Sequence, residues 1–232
     1  MKNTRAIAVM AKAPTAGRVK TRLCPFLTED EAAGFYRALL LDTFDLLKKI
    51  PDADVIVAYT PMHAKKEFLG TAPFGAMPLA QAGKTLGERL FNVFACLFEK
   101  GYKKAAVIGS DSPDLPSEYI VEAFSALKDG EKKVVLGPAH DGGYYLIAMG
   151  RPVPLVFEDI PWGTEKVLNK TMERLKEADV PLSLISPWHD IDMVSDLGLL
   201  LQNKRAKKSI EFLEHNRIVE RLGHAKKRPV LD

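Results

Sequence analysis

Two short runs in this chain are apolar at every position rather than at alternate ones: Ala6-Ile7-Ala8-Val9-Met10 and Ala105-Ala106-Val107-Ile108. A strand with one wet face alternates, so an unbroken run belongs to a strand covered on both sides, as strands of parallel sheets are. Between the strand-like runs the apolar spacing lengthens to that of helices. Thr28 opens such a stretch with Glu31 three positions on, a capping box, and Ala32, Phe35, Tyr36, Leu39, Leu40, Phe44 and Leu47 carry the spacing to about Lys49. Further strands are expected at 54–59, 78–81, 133–136, 144–149 and 181–186. Helices are expected at 86–100, 117–127 and from Thr164, as its cap, to about Ala178. Residues 60–76, with Pro61, Pro73 and two glycines, read as irregular. Alternating strands and helices predict a doubly wound α/β fold, its mostly parallel sheet covered by helices on both faces. At 232 residues one domain is expected, with a core over 5–200 and a basic helical extension over 201–232.

The second strand-like run stops at Gly109 and is followed by Ser110-Asp111-Ser112-Pro113-Asp114-Leu115-Pro116. Two prolines exclude a continuing helix or a central strand. Open α/β sheets bind their ligands at the C-terminal ends of the strands, where one or two carboxylates plus substrate phosphates suffice to hold Mg²⁺ or Mn²⁺. The same residues also suit a turn in which Asp111 or Asp114 accepts backbone amides. As a metal ligand Asp111 would stand beside other acids, Asp192 above all, and they would repel one another in the empty protein.

The first strand opens into a loop, 12–22, with Lys12, Arg18, Lys20, Arg22 and one glycine, Gly17. Strand, basic glycine-containing loop and helix make the layout of a phosphate site, although a solvated surface turn has the same composition. It is not a P-loop, because Val19 rather than Gly precedes Lys20. Gly83-Lys84-Thr85 fails too, with Pro78 where the earlier glycine is required. Asp141-Gly142-Gly143 supplies another acid beside glycines that permit close backbone approach, and Asp190, Asp192 and Asp196 follow the last strand. Three acidic clusters thus follow three strands and would share one sheet edge with the basic loop.

A net charge of +3 speaks against a dedicated nucleic-acid binder. From Lys204 onward nine Lys/Arg face four Asp/Glu, the pattern of a solvated helix end or a phosphate contact. Cys24 and Cys96 are too few for a disulfide framework or a Cys-based zinc site. The apolar stretch after Lys2 and Arg5 is too short for a signal-peptide core, and no run approaches membrane-spanning length. The expectation is a cytoplasmic protein with free thiols.

The chain resembles the nucleotide-diphospho-sugar transferase superfamily of GT-A fold. More closely it is similar to the bacterial glycosyltransferase-like radical-SAM/selenodomain-associated transferases, and more distantly to 2-phospholactate guanylyltransferases and molybdopterin nucleotidyltransferases. The residues that carry the likeness are Lys12-Ala13-Pro14 with Gly17 to Leu23, Gln81 with Leu86 to Leu90, Gly109 to Pro116, Gly137 to Leu146, and Asp190-Ile191-Asp192 with Asp196-Leu197. The resemblance implies a nucleotide in the N-terminal half, its phosphates on Lys12, Lys20 and Arg22 and its base lined by Gln81, Gly83 and Gly87, with Gly17 in the phosphate loop. Asp111 stands for the metal-binding aspartate of the superfamily's Asp-x-Asp signature, and Asp192 for the acid that completes the site. Here the signature's second acid is Asp114, three positions on. Thr85 and Gly163 also depart from the family, which often has Asp before Leu86 and usually Ser or Thr at 163.

The function expected is transfer of a glycosyl group from a nucleoside-diphosphate sugar to a small-molecule acceptor, with Mg²⁺ or Mn²⁺. Asp141 would be either the general base on the acceptor hydroxyl or the cap of the turn before Gly142. Two alternatives share the cleft: a nucleotidyltransferase that releases pyrophosphate from an NTP, and a nucleotide-binding protein without turnover.

Overall fold

The computed structural model describes residues 3–69, 72, 73 and 75–225. Lys226, Lys227 and Arg228 of the basic tail lie outside them, as do Gly70, Thr71 and Phe74 of the stretch expected to be irregular. Seven strands form one sheet: β1 (Arg5–Lys12), β2 (Ala53–Thr60), β3 (Met77–Ala80), β4 (Lys104–Ile108), β5 (Val134–Pro138), β6 (Tyr144–Met149) and β7 (Leu182–Leu184). Their order is β3-β2-β1-β4-β6-β5-β7. Only β6 runs against the rest, antiparallel to both β4 and β5. The helices are α1 (Glu29–Leu47), α2 (Lys65–Leu69), α3 (Leu86–Glu99), α4 (Ser117–Ser125), α5 (Val167–Glu177), α6 (Leu197–Asn203), α7 (Lys207–His215) and α8 (Ile218–Ala225). This is the α/β, GT-A-like fold anticipated above.

The all-apolar run of β1 serves two cores at once. Ile7, Val9 and Ala11 pack with Phe35 and Leu39 of α1 and Ile120 of α4, while Ala6 and Ala8 pack on the other face with Leu90 and Phe94 of α3. Both bonds of the capping box at Thr28 and Glu31 form, fixing where α1 begins. Thr85 caps α3 by accepting from Glu88 N.

Three local expectations differ. Within 60–76 there is a 3-10 turn at Met62–Ala64 and then α2, since the two prolines flank rather than interrupt this segment. The last strand is only three residues long, Leu182–Leu184, although Pro181 O and Ile185 N carry its hydrogen bonds to β5 one residue further at each end. Thr164 does not cap α5: its hydroxyl donates to Pro161 O and accepts from Lys166 N, closing a tight turn, and α5 starts after Lys166.

The basic C-terminal stretch is anchored by burial. Ala206, Leu213 and Ile218 join the core under α1, and Asp42 of α1 accepts from Ser209 N, Ser209 Oγ and Lys208 N at the start of α7. Among the described residues no helix is long and apolar enough to cross a membrane.

The order reverses between β1 and β4: the chain leaves β1 toward β2 and β3, and leaves β4 toward β6, β5 and β7. A crevice opens at such a switch point, beyond the C-terminal ends of the two strands. Val9 pairs with Ile108 in the β1–β4 register. Lys12 and Asp111, each three residues further on, therefore start the two walls of that crevice at the same height.

Candidate active site

The crevice is a cleft of about 680 Å³. The loop after β1 forms one wall and the loop after β4 the opposite one. The β5–β6 turn, the segment 162–167 and Asp192 close the far side, and Gln81, Leu86, Arg89 and Leu90 the near side. Of the residues expected in the site, Lys12, Lys20, Arg22, Gln81, Asp111, Asp141 and Asp192 all line it. Gly17, Gly83 and Gly87 do not; their missing side chains serve packing. A Cβ on Gly87 would meet Phe157 O and Trp162 Nε1 at 2.6 Å, so glycine lets α3 approach the Trp162 loop. A Cβ on Gly83, which has φ +124°, would strike Glu88 Cβ at 2.7 Å, and one on Gly17, at φ +71°, would come within 3.0 Å of Glu29 Oε2.

Asp111 and Asp192 stand 81 positions apart in sequence, and their loops are joined by main chain, Ile191 N donating to Asp111 O at 2.8 Å. Between the two carboxylates lies the ammonium of Lys20. It is 2.5 Å from Asp111 Oδ1 and 2.8 Å from Asp192 Oδ1, and it donates to Ile191 O at 2.6 Å. The repulsion expected between these acids is thus neutralised by the chain's own cation. Burial disfavours the charge on Lys20, but Asp111 and then Asp192 outweigh it and hold the ammonium above the ordinary lysine range.

Asp114 points away from the cleft. It is 1% exposed and accepts from Trp188 Nε1 (3.2 Å) and Asn203 Nδ2 (2.7 Å), and His189 Nε2 lies 3.1 Å from it. It anchors the segment that carries Asp192. Asp141 Oδ1 accepts from Gly143 N at 2.9 Å, the turn-closing bond foreseen as one of its two roles. Its Oδ2 has no protein donor among the described residues, and Asp141 is one of the residues that line the cleft.

Asp190 was visible as a member of an acidic cluster but not as a distinct group. It accepts from Ser112 Oγ at 2.5 Å. Burial, then the charge of Asp111, push its carboxyl up to about 6, against the opposing pull of that hydrogen bond. Tyr36, expected only as a core residue of the first helix, also reaches the site: its hydroxyl accepts from Lys12 N at 3.0 Å and meets Ser110 Oγ at 2.9 Å, tying the two walls together. Burial and the Asp111 charge push its phenol to about 12, so it stays protonated. Arg18, Arg89, Tyr144 and Trp162 complete the lining, Tyr144 and Trp162 edge to face at 6.2 Å. Arg18 belongs to the basic loop and Arg89 to the Leu86–Leu90 motif, whereas nothing in the sequence brings Tyr144 and Trp162 together.

The charge distribution limits what the cleft can hold. Lys12, Arg18, Arg22 and Arg89 line it without an ion-pair partner among the described residues, whereas Lys20 is fully engaged. Four cations converging on one cavity suit a multiply charged anion. Two carboxylates sharing one cation are hard oxygen ligands, and with substrate phosphates they meet what Mg²⁺ or Mn²⁺ asks of a protein. Gln81 donates both amide hydrogens, to Ala58 O at 2.7 Å and Ala11 O at 3.3 Å, which fixes its side-chain oxygen as an acceptor.

Residues 43–164 match the family described as "uncharacterized protein conserved in bacteria" (DUF2064). A crystal structure from Desulfovibrio desulfuricans G20, classed provisionally as a nucleotide-diphospho-sugar transferase, is 32% identical. The match covers 94% of this chain and 97% of that one, with a TM-score of 0.84. The fold also matches CMP:2-keto-3-deoxy-manno-octonic acid synthetase complexed with CTP (12% identity, 89% and 99% covered, TM-score 0.55). A cytidylyltransferase from Leptospira borgpetersenii is similar at the same level (9% identity, 99% and 100% covered, TM-score 0.53).

Proposed function

The chain belongs to the DUF2064 family of bacterial proteins, and from that premise we propose that its cleft is the active site of a metal-dependent transferase acting on a nucleoside-diphosphate sugar. The observation that carries this reading is the juxtaposition of four cations, unpaired among the described residues, with the Asp111–Asp192 pair at the switch point of the sheet. The name given to the 32%-identical Desulfovibrio protein supports the donor class. The narrower kinship with radical-SAM-associated transferases rests on the sequence resemblance.

Asp111 and Asp192 are the residues that would hold Mg²⁺ or Mn²⁺. When bound, the ion neutralises charge on the diphosphate and so favours its departure. Lys12, Arg18 and Arg22 hold the phosphates from the β1 wall, and Gln81 presents its fixed oxygen to an N–H of the base. Asp141, its Oδ1 tied to Gly143 N, keeps Oδ2 for the proton of the acceptor hydroxyl. As that hydroxyl oxygen bonds to the anomeric carbon, the bond from carbon to the β-phosphate oxygen breaks and the nucleoside diphosphate leaves.

A second reading is favoured by the surplus of cations over what one diphosphate needs: a nucleotidyltransferase whose acceptor is itself phosphorylated. The products separate the two. A melting-temperature screen of UDP, GDP, CDP, their sugars and the NTPs, with and without Mn²⁺, identifies the donor. Release of nucleoside diphosphate from a sugar nucleotide then supports glycosyl transfer, and pyrophosphate from an NTP the alternative. A ligand at 100 times its Kd adds about 2.7 kcal/mol of stability. No shift with any nucleotide in the presence of metal refutes both.

A further inference from the structure

Resting on the metal-dependent reading above, we propose that Lys20 is an internal counter-cation that keeps a divalent ion off Asp111 and Asp192 until a nucleotide draws its ammonium away. Sequence position suggests a phosphate ligand, but the side chain is turned elsewhere. Its backbone is left-handed (φ 48°, ψ 35°), uncommon for a residue other than glycine, and the side chain is 3% exposed. An ammonium has three hydrogens to donate, and Asp111 Oδ1, Asp192 Oδ1 and Ile191 O take them. None remains for a phosphate.

A divalent ion ligated by both carboxylates lies about 2.0–2.6 Å from their oxygens. The ammonium nitrogen is 2.5 and 2.8 Å from those oxygens. Ion and ammonium therefore compete for one place. With Lys20 in position the pair carries a net charge of −1, and without it −2, so a cation approaching the bare protein meets a half-neutralised site. The ammonium has an alternative partner within its own loop's reach, because Lys20 is flanked by Arg18 and Arg22, which face the cleft without ion-pair partners. Phosphates bound there give Lys20 a new anion while the metal takes its former seat. Metal and nucleotide then bind as a coupled pair, each raising the other's affinity by the same factor.

The test is Mn²⁺ binding to the 232-residue chain, followed by the electron paramagnetic resonance of free Mn²⁺, for wild type, Lys20→Met and Lys20→Gln. Asp111 and Asp192 are 39% and 38% exposed at their side chains, so water can solvate them when Lys20 is neutral, and Gln preserves a hydrogen-bond donor should Met perturb folding. Without nucleotide, both variants should bind Mn²⁺ about tenfold or more tightly than wild type, given the strength of a removed contact charge. Adding UDP, GDP or CDP should tighten Mn²⁺ on wild type and change it little on the variants. Lys20→Met with Asp111→Asn should lose the gain. Equal or weaker Mn²⁺ binding by both neutral variants overturns the proposal. If wild type still binds Mn²⁺ with a nucleotide in that case, only the role of Lys20 falls. If no form binds either, the metal-dependent reading falls with it.

Discussion

His189 lies 3.1 Å from the buried carboxylate of Asp114, and through that contact the segment carrying Asp192 is held against the loop carrying Asp111. Trp188 Nε1 and Asn203 Nδ2 meet the same carboxylate. Asp114→Ala leaves three polar partners without an acceptor. We expect a loss of about 3–5 kcal/mol, the range found when a buried pair is broken by removing one partner. Urea unfolding measures it, and a loss under about 1 kcal/mol would mean that the network contributes little.

Asp111→Asn removes one negative charge from an acidic neighbourhood, which alone would stabilise the metal-free protein. The bond to Lys20 reverses that expectation. We predict a loss of about 1 kcal/mol in EDTA, discounted from the usual charge-assisted bond because Asp111 is partly exposed. Unchanged or raised stability would show that the pair adds nothing to folding.

Stability should fall as pH rises through the range in which Asp190 and His189 lose their protons. The Asp190 carboxyl is raised from 3.8 to about 6, so between those values the folded state binds the proton that the unfolded state has released. Its contribution is complete below pH 3.8 and lost above about pH 6. His189 is raised above 6.5, chiefly by its hydrogen bond to Asp114, so its contribution is complete below that value and lost at higher pH. Asp190→Asn should flatten the lower part of the profile and His189→Gln the upper part. Melting curves at half-unit steps from pH 4.5 to 8.5 check this; a wild-type profile that rises throughout would contradict the assignment.

Arg18 and Arg22 are exposed and have no ion-pair partner among the described residues, so replacing both by Ala should change stability by no more than about 0.5 kcal/mol. Nucleotide affinity should drop by about 2–4 kcal/mol, at the low end of two charge-assisted bonds because both groups are screened by solvent. Calorimetric titration with the nucleotide found in the screen decides the matter. Full affinity in the double variant would make this loop mere surface.

Gly142 has φ +87°, and a Cβ there would lie 2.2 Å from Glu165 O. Gly142→Ala should therefore cost more than about 2 kcal/mol, combining a strained backbone with a collision against main chain that has no side-chain end to yield. Because Leu168 N donates to Gly142 O, the loss should also displace Asp141 and the 162–167 wall of the cleft. Wild-type stability in this variant would mean that the turn relaxes freely.

The local instructions were in the sequence by itself. Unbroken apolar runs at β1 and β4 required a sheet covered twice, Thr28 and Glu31 fixed where α1 starts, and strands alternating with helices required a doubly wound sheet whose strand ends carry the charged loops. Each of these depends on neighbours a few residues apart, which is the range over which periodicity and capping act. Partnership across the sheet was not written there. Asp111 and Asp114 look alike in sequence, yet one lines the cleft and the other is buried, because the packed 188–203 segment offers Trp188 Nε1 and Asn203 Nδ2 as donors to the second. Lys20, Arg18 and Arg22 share one basic loop, but among the described residues only Lys20 meets Asp111 and Asp192, since a charge pair depends on distance through space and those carboxylates reach it from two loops distant in sequence.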